Sequence, residues 1–364
     1  MIVKEITTLL EELAPLANAE DFDNVGLLVG DYNSKVSGIL VTLDTLEAVV
    51  DEAIAKKCNL IVSFHPIIFG GLKKLTGDGY VERVVIKAIQ HGISIYSMHT
   101  ALDNAQKGVN AKICEVLGLQ DARILIPKKD TVKKLTTYVP KGDAKKLMGA
   151  LFAAGAGTIG KYSECSFSTE GTGSYRAGEG ANPVKGKIGT THFEAETQVN
   201  MIFSASDERK ILAALFENHP YEEVAYEIFT LENTDQHIGM GMIGKLERPT
   251  SVTDFLESVK LKMKAGGIRH SKTLARKIQH IAVLGGSGAF AIGAAKAAGA
   301  DVFITSDIKY HQFYEAGDDM VIADIGHYES EQFTKNLLVD YLKEKMPNFA
   351  IHLSESKTNP INYL

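Results

Sequence analysis

The 364-residue sequence predicts an α/β protein in which two similar α/β halves build one metal-binding core, with a ferredoxin-like α+β domain inserted between them. Three observations carry this reading. Short apolar runs alternate with amphipathic helical segments in the order β-α-β-α-β near the start and again in the last third. That order implies parallel strands joined by right-handed crossovers. The stretch between them reads β-α-β-β-α-β, the split unit of four strands and two helices. The apolar runs of the outer parts also stop on His or Asp, at the sheet rim where open α/β folds hold ligands. The divisions fall at residues 1–126 for the first half, 127–246 for the insert and 247–364 for the second half.

The elements follow in order. Apolar residues at Val3, Ile6, Leu9, Leu10 and Leu13 predict an amphipathic helix that Pro15 stops. Asp21 to Gly30 is a turn-rich entry to a short strand, and Asp23 and Asn24 serve there as turn formers or as polar groups of a pocket. Strands at 38–44, 60–65 and 93–99 alternate with helices at 46–57 and 81–91. In the insert, strands are expected at 134–140, 198–203 and 224–229 and helices at 144–154 and 208–218, around a glycine-rich hairpin from Gly171 to Gly189. The last third repeats the first. A strand at 279–284 meets Gly285-Gly286-Ser287-Gly288, then come helix 289–298, strand 301–307, a helix around His311 to Ala316, and the strand that ends at His327.

Composition narrows the class. A hydrophobic share of 45% is enough for packed cores, and a net charge of -6 argues against a broad nucleic-acid surface. Three cysteines, Cys58, Cys114 and Cys165, lie far apart with no CxxC pair, as in a reducing cytoplasm. No apolar run is long enough to span a bilayer. A cytoplasmic protein that does not enter the membrane is expected.

The side chains at the strand ends point to metal chemistry. His65 closes one strand, and His99 and Asp103 follow another. His327 and Glu331 are spaced i, i+4 at the start of a helix, so one cation can touch both. Imidazole with carboxylate suits a divalent cation such as zinc, iron or manganese. His99 and His311 are candidate proton shuttles beside it. The Gly285–Gly288 run suits either a tight β-α turn or a backbone cradle for the phosphate of a nucleotide.

Taken together, Asp23 to Gly30, His65-Pro66, His99-Thr100-Ala101-Leu102-Asp103, Gly108-Val109-Asn110 and Gly326 to Glu331 resemble the NIF-three-like family. Its members carry the label GTP cyclohydrolase I type 2 homologue. The insert, with His219-Pro220-Tyr221-Glu222-Glu223, resembles the small PII-like and CutA regulatory domains. The resemblance implies a two-metal site on His65, Asp103, His327 and Glu331, a toroidal homohexamer, and a metal-dependent hydrolase acting on a small molecule or nucleotide. The alternative is a non-catalytic metal-binding regulator with a ligand-sensing insert. The family pattern has two adjacent histidines before the proline, and here the first is Phe64. A phenyl ring cannot ligate, so of one or two cations per chain, single or sub-stoichiometric occupancy is expected, with the Phe64 ring in part of the second position. His99, Asp307 and His311 are the candidate substitutes or hydrogen-bond partners of the ligands.

Overall fold

The computed structural model describes residues 1–364, which divide into two units: Met1–Pro127 with Gln236–Leu364, and Lys128–Asp235. In chain order the first unit begins with helix α1 (Val3–Leu13), strand β1 (Gly26–Val29), β2 (Ile39–Thr42), α2 (Glu47–Ala55), β3 (Leu60–Ser63), α3 (Tyr80–Gln90), β4 (Ser94–Ser97), α4 (His99–Asp103), α5 (Val109–Leu117) and β5 (Gln120–Pro127). The second unit holds β6 (Val132–Pro140), α6 (Ala144–Ala153), β7 (Phe167–Arg176), β8 (Thr191–Ser204), α7 (Glu208–Asn218) and β9 (Tyr226–Thr230). The chain then returns through β10 (Gly239–Thr250), α8 (Val252–Lys262), β11 (Arg269–His270), β12 (Ile278–Ser287), α9 (Ile292–Ala297), β13 (Val302–Ser306), β14 (Val321–Asp324), α10 (His327–Glu331), α11 (Thr334–Lys345) and β15 (Ile351–Leu353).

Two sheets form the first unit, ordered β1-β4-β3-β2-β15 and β11-β14-β13-β12-β10-β5. Strands β2, β3 and β4 are parallel, as are β12, β13 and β14. In each sheet a short antiparallel strand, β1 or β11, flanks the outer member of the trio. The trio strands β2, β3, β4, β13 and β14 are buried along their whole length, so they read as unbroken apolar runs. One core cluster joins both sheets and takes in Ile6, Leu10, Val62, Tyr96, Ile113, Val283, Ile304 and Leu338. Each such side chain contributes about 2 kcal/mol by burial.

The two halves exchange strands, which the division at residue 126 did not foresee. β5, from the first half, pairs with β10 in the second sheet, and β15, from the end of the chain, adds to β2 in the first. The stretch expected to close the insert, 236–246, instead supplies most of β10. Its glycines are needed for close packing: a Cβ on Gly239 would meet the Ile126 carbonyl at 2.1 Å, and one on Gly241 the Val283 carbonyl at 3.0 Å. The helix expected at 311–316 is a 3₁₀ helix, Tyr310–Ala316, and the helix expected to run on from His327 breaks between α10 and α11.

The second unit has its own sheet, ordered β7-β8-β6-β9, with every neighbouring pair antiparallel. Leu135 and Val139 from β6, and Val199, Met201 and Phe203 from β8, pack with Leu147, Leu151, Ile211 and Leu215 of the two helices. Alternation along the strands leaves Tyr138, Glu196 and Gln198 on the opposite face.

Candidate metal centre

Loops at the carboxyl ends of the parallel strands carry the site. Asp44 lies just past β2, His65 just past β3, Asp307 just past β13, and His327 opens α10 after β14. His99 and Asp103 are the first and last residues of α4. The backbone is held in uncommon conformations here, with φ of 21° at His99 and 57° at Asp307. Such strain persists where surrounding structure fixes it, as in functional sites. The His99 N–H donates to the Phe64 carbonyl at 2.9 Å.

His65, His327 and Glu331 converge, each offering one ligand atom within 4.8 Å of the others. The Nε2 atoms of His65 and His327 lie 3.1 and 3.3 Å from Oε2 of Glu331, on a side chain only 3% exposed. Neither contact has hydrogen-bond geometry, so Oε2 is buried without a bonded partner. Behind the rings, Nδ1 of His65 is 2.7 Å from Asp44, and Nδ1 of His327 is 2.7 Å from Asp307. A carboxylate on Nδ1 holds a histidine with Nε2 aimed at a metal.

Charge accounts for the titration of the cluster. Against burial, which alone would lower it, the Asp44 and Glu331 carboxylates push His65 up to about 10. Against the same effect, Glu331 and then Asp307 push His327 up to about 9. Glu331 is held down to about 2, because the two histidines outweigh its burial. A cation would take over the role of those protons.

Asp103 fits the same pattern. Its Oδ1 is buried with no partner, and burial followed by the Glu331 charge raises its pKa well above the carboxylate range. Asp103 is not among the three converging residues, but its oxygen lines the cavity with His327 and Glu331, and buried oxygens without donors suit a divalent cation.

A cavity of about 320 Å³ opens over the cluster, lined in part by His99, Asp103, His327 and Glu331 and by Phe22, Phe69 and Phe290. The three phenylalanines are 66%, 54% and 63% exposed. Within it, His99 is held by Asp23, whose Oδ1 lies 2.7 Å from Nδ1. Asp23 therefore does more than form a turn. Against burial, hydrogen bonds from His99 and Thr100 hold its carboxyl at about 2.

Three expectations change. His311 is exposed on the 3₁₀ helix, its ring against Tyr310 and Tyr314, and does not line the cavity. Phe64 is fully buried in the main core, its ring tilted against His65 and edge-on to His99, and does not line the cavity either. Two N–H groups of the glycine run are not free for a phosphate, since the Gly285 N–H donates to Asn110 and the Gly286 N–H to Ser330. Its glycines admit Glu331 instead: a Cβ on Gly286 would lie 2.4 Å from Oε1. Asp307 stands behind His327. Asp44 does the same for His65, and the one sequence signal for it is an apolar strand ending on Asp.

The family model described as Duf34/NIF3 (NGG1p interacting factor 3) matches residues 1–360. The chain is 37% identical to a Bacillus subtilis protein named GTP cyclohydrolase 1 type 2 homolog, covering 99% of this chain and 98% of that one. A Staphylococcus aureus protein of the same name is 33% identical over the full length of both. Among solved structures, a Bacillus cereus protein related to NIF3 matches with a TM-score of 0.85 at 37% identity, over 100% of this chain and 99% of that one. The Staphylococcus aureus protein SA1388 matches with a TM-score of 0.78 at 31% identity, over 100% and 99%. The chain belongs to the Duf34/NIF3 family.

Proposed function

We propose that His65, His327 and Glu331, with Asp103 beside them, hold a divalent cation (zinc, iron or manganese) and that the cavity above is a hydrolase-type site for a small molecule. The observation that carries this is the convergence of the His65, His327 and Glu331 ligand atoms, with the unpartnered buried oxygen of Asp103 lining the same cavity as His327 and Glu331. When bound, the cation supplies Lewis-acid polarisation of a substrate oxygen and a lowered pKa for water. Asp23 keeps the His99 proton on Nδ1, which leaves Nε2 to accept a proton within the cavity. The exposed rings of Phe22, Phe69 and Phe290 offer faces for a planar heterocycle, in keeping with the nucleotide named for the curated relatives. Assembly into a homohexamer and kinship of the second unit with PII and CutA domains belong to the same proposal. The strand order of that unit and its HPYEE segment support the kinship.

Phe64 favours a second reading, a metal-binding regulator, because it removes a ligand that the two-metal pattern requires. Elemental analysis of the purified chain and of Glu331→Gln, paired with a hydrolysis screen that includes GTP, tests both. Stoichiometric metal lost in the variant supports the site, and hydrolysis lost with it supports catalysis. Wild-type protein that takes up no cation on loading rules out the site.

A further inference from the structure

We propose that the second unit binds a small organic cation of the ammonium type, in a cavity of about 370 Å³ walled by Tyr138, Tyr175 and Tyr221 with Glu196 at its base. The proposal is independent of the metal centre. The cavity lies on the sheet face away from the helices, yet Glu196 is only 9% exposed there. Tyr175 opposes His192 in the β7–β8 register and so shares the face of Glu196. Gly173 makes room for the carboxylate, since a Cβ there would lie 1.9 Å from Oε2.

What the cavity presents is electron-rich. The Tyr221 hydroxyl donates to Glu196 Oε1 at 2.8 Å, and Oε2 receives no donor from the chain. The Tyr175 hydroxyl donates to the Lys185 carbonyl at 2.7 Å, and the Tyr138 hydroxyl to Glu227 at 3.4 Å. With their O–H donors spent, the phenols offer mainly π faces. The rings of Tyr175 and Tyr221 meet at 64° with centroids 6.0 Å apart, forming a corner. Aromatic faces around a carboxylate attract ammonium groups, and the volume suits a small molecule. Arg176 also lines the cavity, but it is exposed, and the carboxylates of Glu196, Glu222 and Glu223 line it too, so acidic groups outnumber the one guanidinium.

His219, the first residue of the HPYEE segment, positions two of the walls. Its Nε2 lies 2.9 Å from the Tyr138 carbonyl, and its Nδ1 accepts the Tyr221 N–H at 3.1 Å. Burial lowers its pKa, which keeps the ring in the neutral form that can do both.

The test uses the full chain with choline, n-butylammonium and dimethylbutanol, the neutral carbon isostere of choline, by calorimetry and saturation-transfer NMR. At least one cation is expected to bind saturably, about tenfold or more tighter than dimethylbutanol. Glu196→Gln, close to isosteric, should erase that preference while leaving the circular dichroism and metal content unchanged. Tyr175→Leu, whose parent side chain does not bond the carboxylate, should weaken cation binding as well and serves if the first variant misfolds. Equal binding of choline and its isostere, cation binding unchanged in either folded variant, or no saturable binding of either cation up to about 10 mM overturns the proposal.

Discussion

Replacing Gly286 with alanine probes the metal centre at its tightest point. Gly286 has φ of 72°, and the new Cβ would lie 2.4 Å from Glu331 Oε1, where ordinary contact begins near 3.4 Å. The left-handed backbone alone costs about 1–2 kcal/mol for a residue with a Cβ. Relieving the clash requires the carboxylate to move by about 1 Å, against a tolerance of roughly 0.2 Å in ligand distances. The carboxylate is buried and faces both histidines, so the movement falls on the ligand set itself. We expect Gly286→Ala to lower stability by about 2 kcal/mol and to weaken divalent-cation affinity by about 100-fold. Gly293→Ala is the control. A Cβ there meets nothing within 4 Å, and in α9 it should be neutral or stabilising by up to about 1 kcal/mol. Competition with a chelator measures affinity, and thermal melts of metal-free protein measure stability. Gly286→Ala with the cation affinity of wild type would refute the reasoning, because it would mean that the Glu331 carboxylate does not hold the metal.

Three more outcomes follow from the same structure. Phe64→His should raise metal content from about one to about two per chain, at a stability cost of about 2–3 kcal/mol for a polar ring in the core; elemental analysis that still finds one would show that Phe64 is not the cause. Asp23→Asn removes a carboxyl held at about 2, whose stabilisation is complete above its ordinary 3.8 and lost as pH falls through 2. The variant should therefore melt lower than wild type at neutral pH, by roughly 1–2 kcal/mol, with the gap closing towards pH 2; a gap independent of acid would contradict the assignment. Replacing residues 128–235 with a short Gly-Ser linker should leave a first unit that folds and binds metal, because its core clusters contain no residue of the second unit; aggregation or loss of metal would argue otherwise.

Much of this protein is legible in the chain alone. Strands buried along their length leave unbroken apolar runs, so β2, β3, β4, β13 and β14 announce themselves, and their polar ends name His65 and His327, with Asp103 at the end of the short helix after β4. The i, i+4 step to Glu331 is a local property of a helix and needs no partner to be read. Other features depend on distance through space rather than along the chain. Asp44 meets His65 across 21 residues, Asp23 meets His99 across 76, and Asp307 meets His327 across 20. Nothing local distinguishes such an aspartate from a turn former. The glycine run shows the same limit: its spacing suits an anion cradle, and only the packing of α5 and α10 reveals that two of its N–H groups are spent and that a carboxylate fills the space. Strands β5, β10 and β15 change sheets because pairing partners are chosen by register and burial in the folded chain, which a sequence rich in glycine at 239–244 does not display. Composition and periodicity determined which elements form and which side chains end them; tertiary packing alone decided which carboxylates stand behind the histidines.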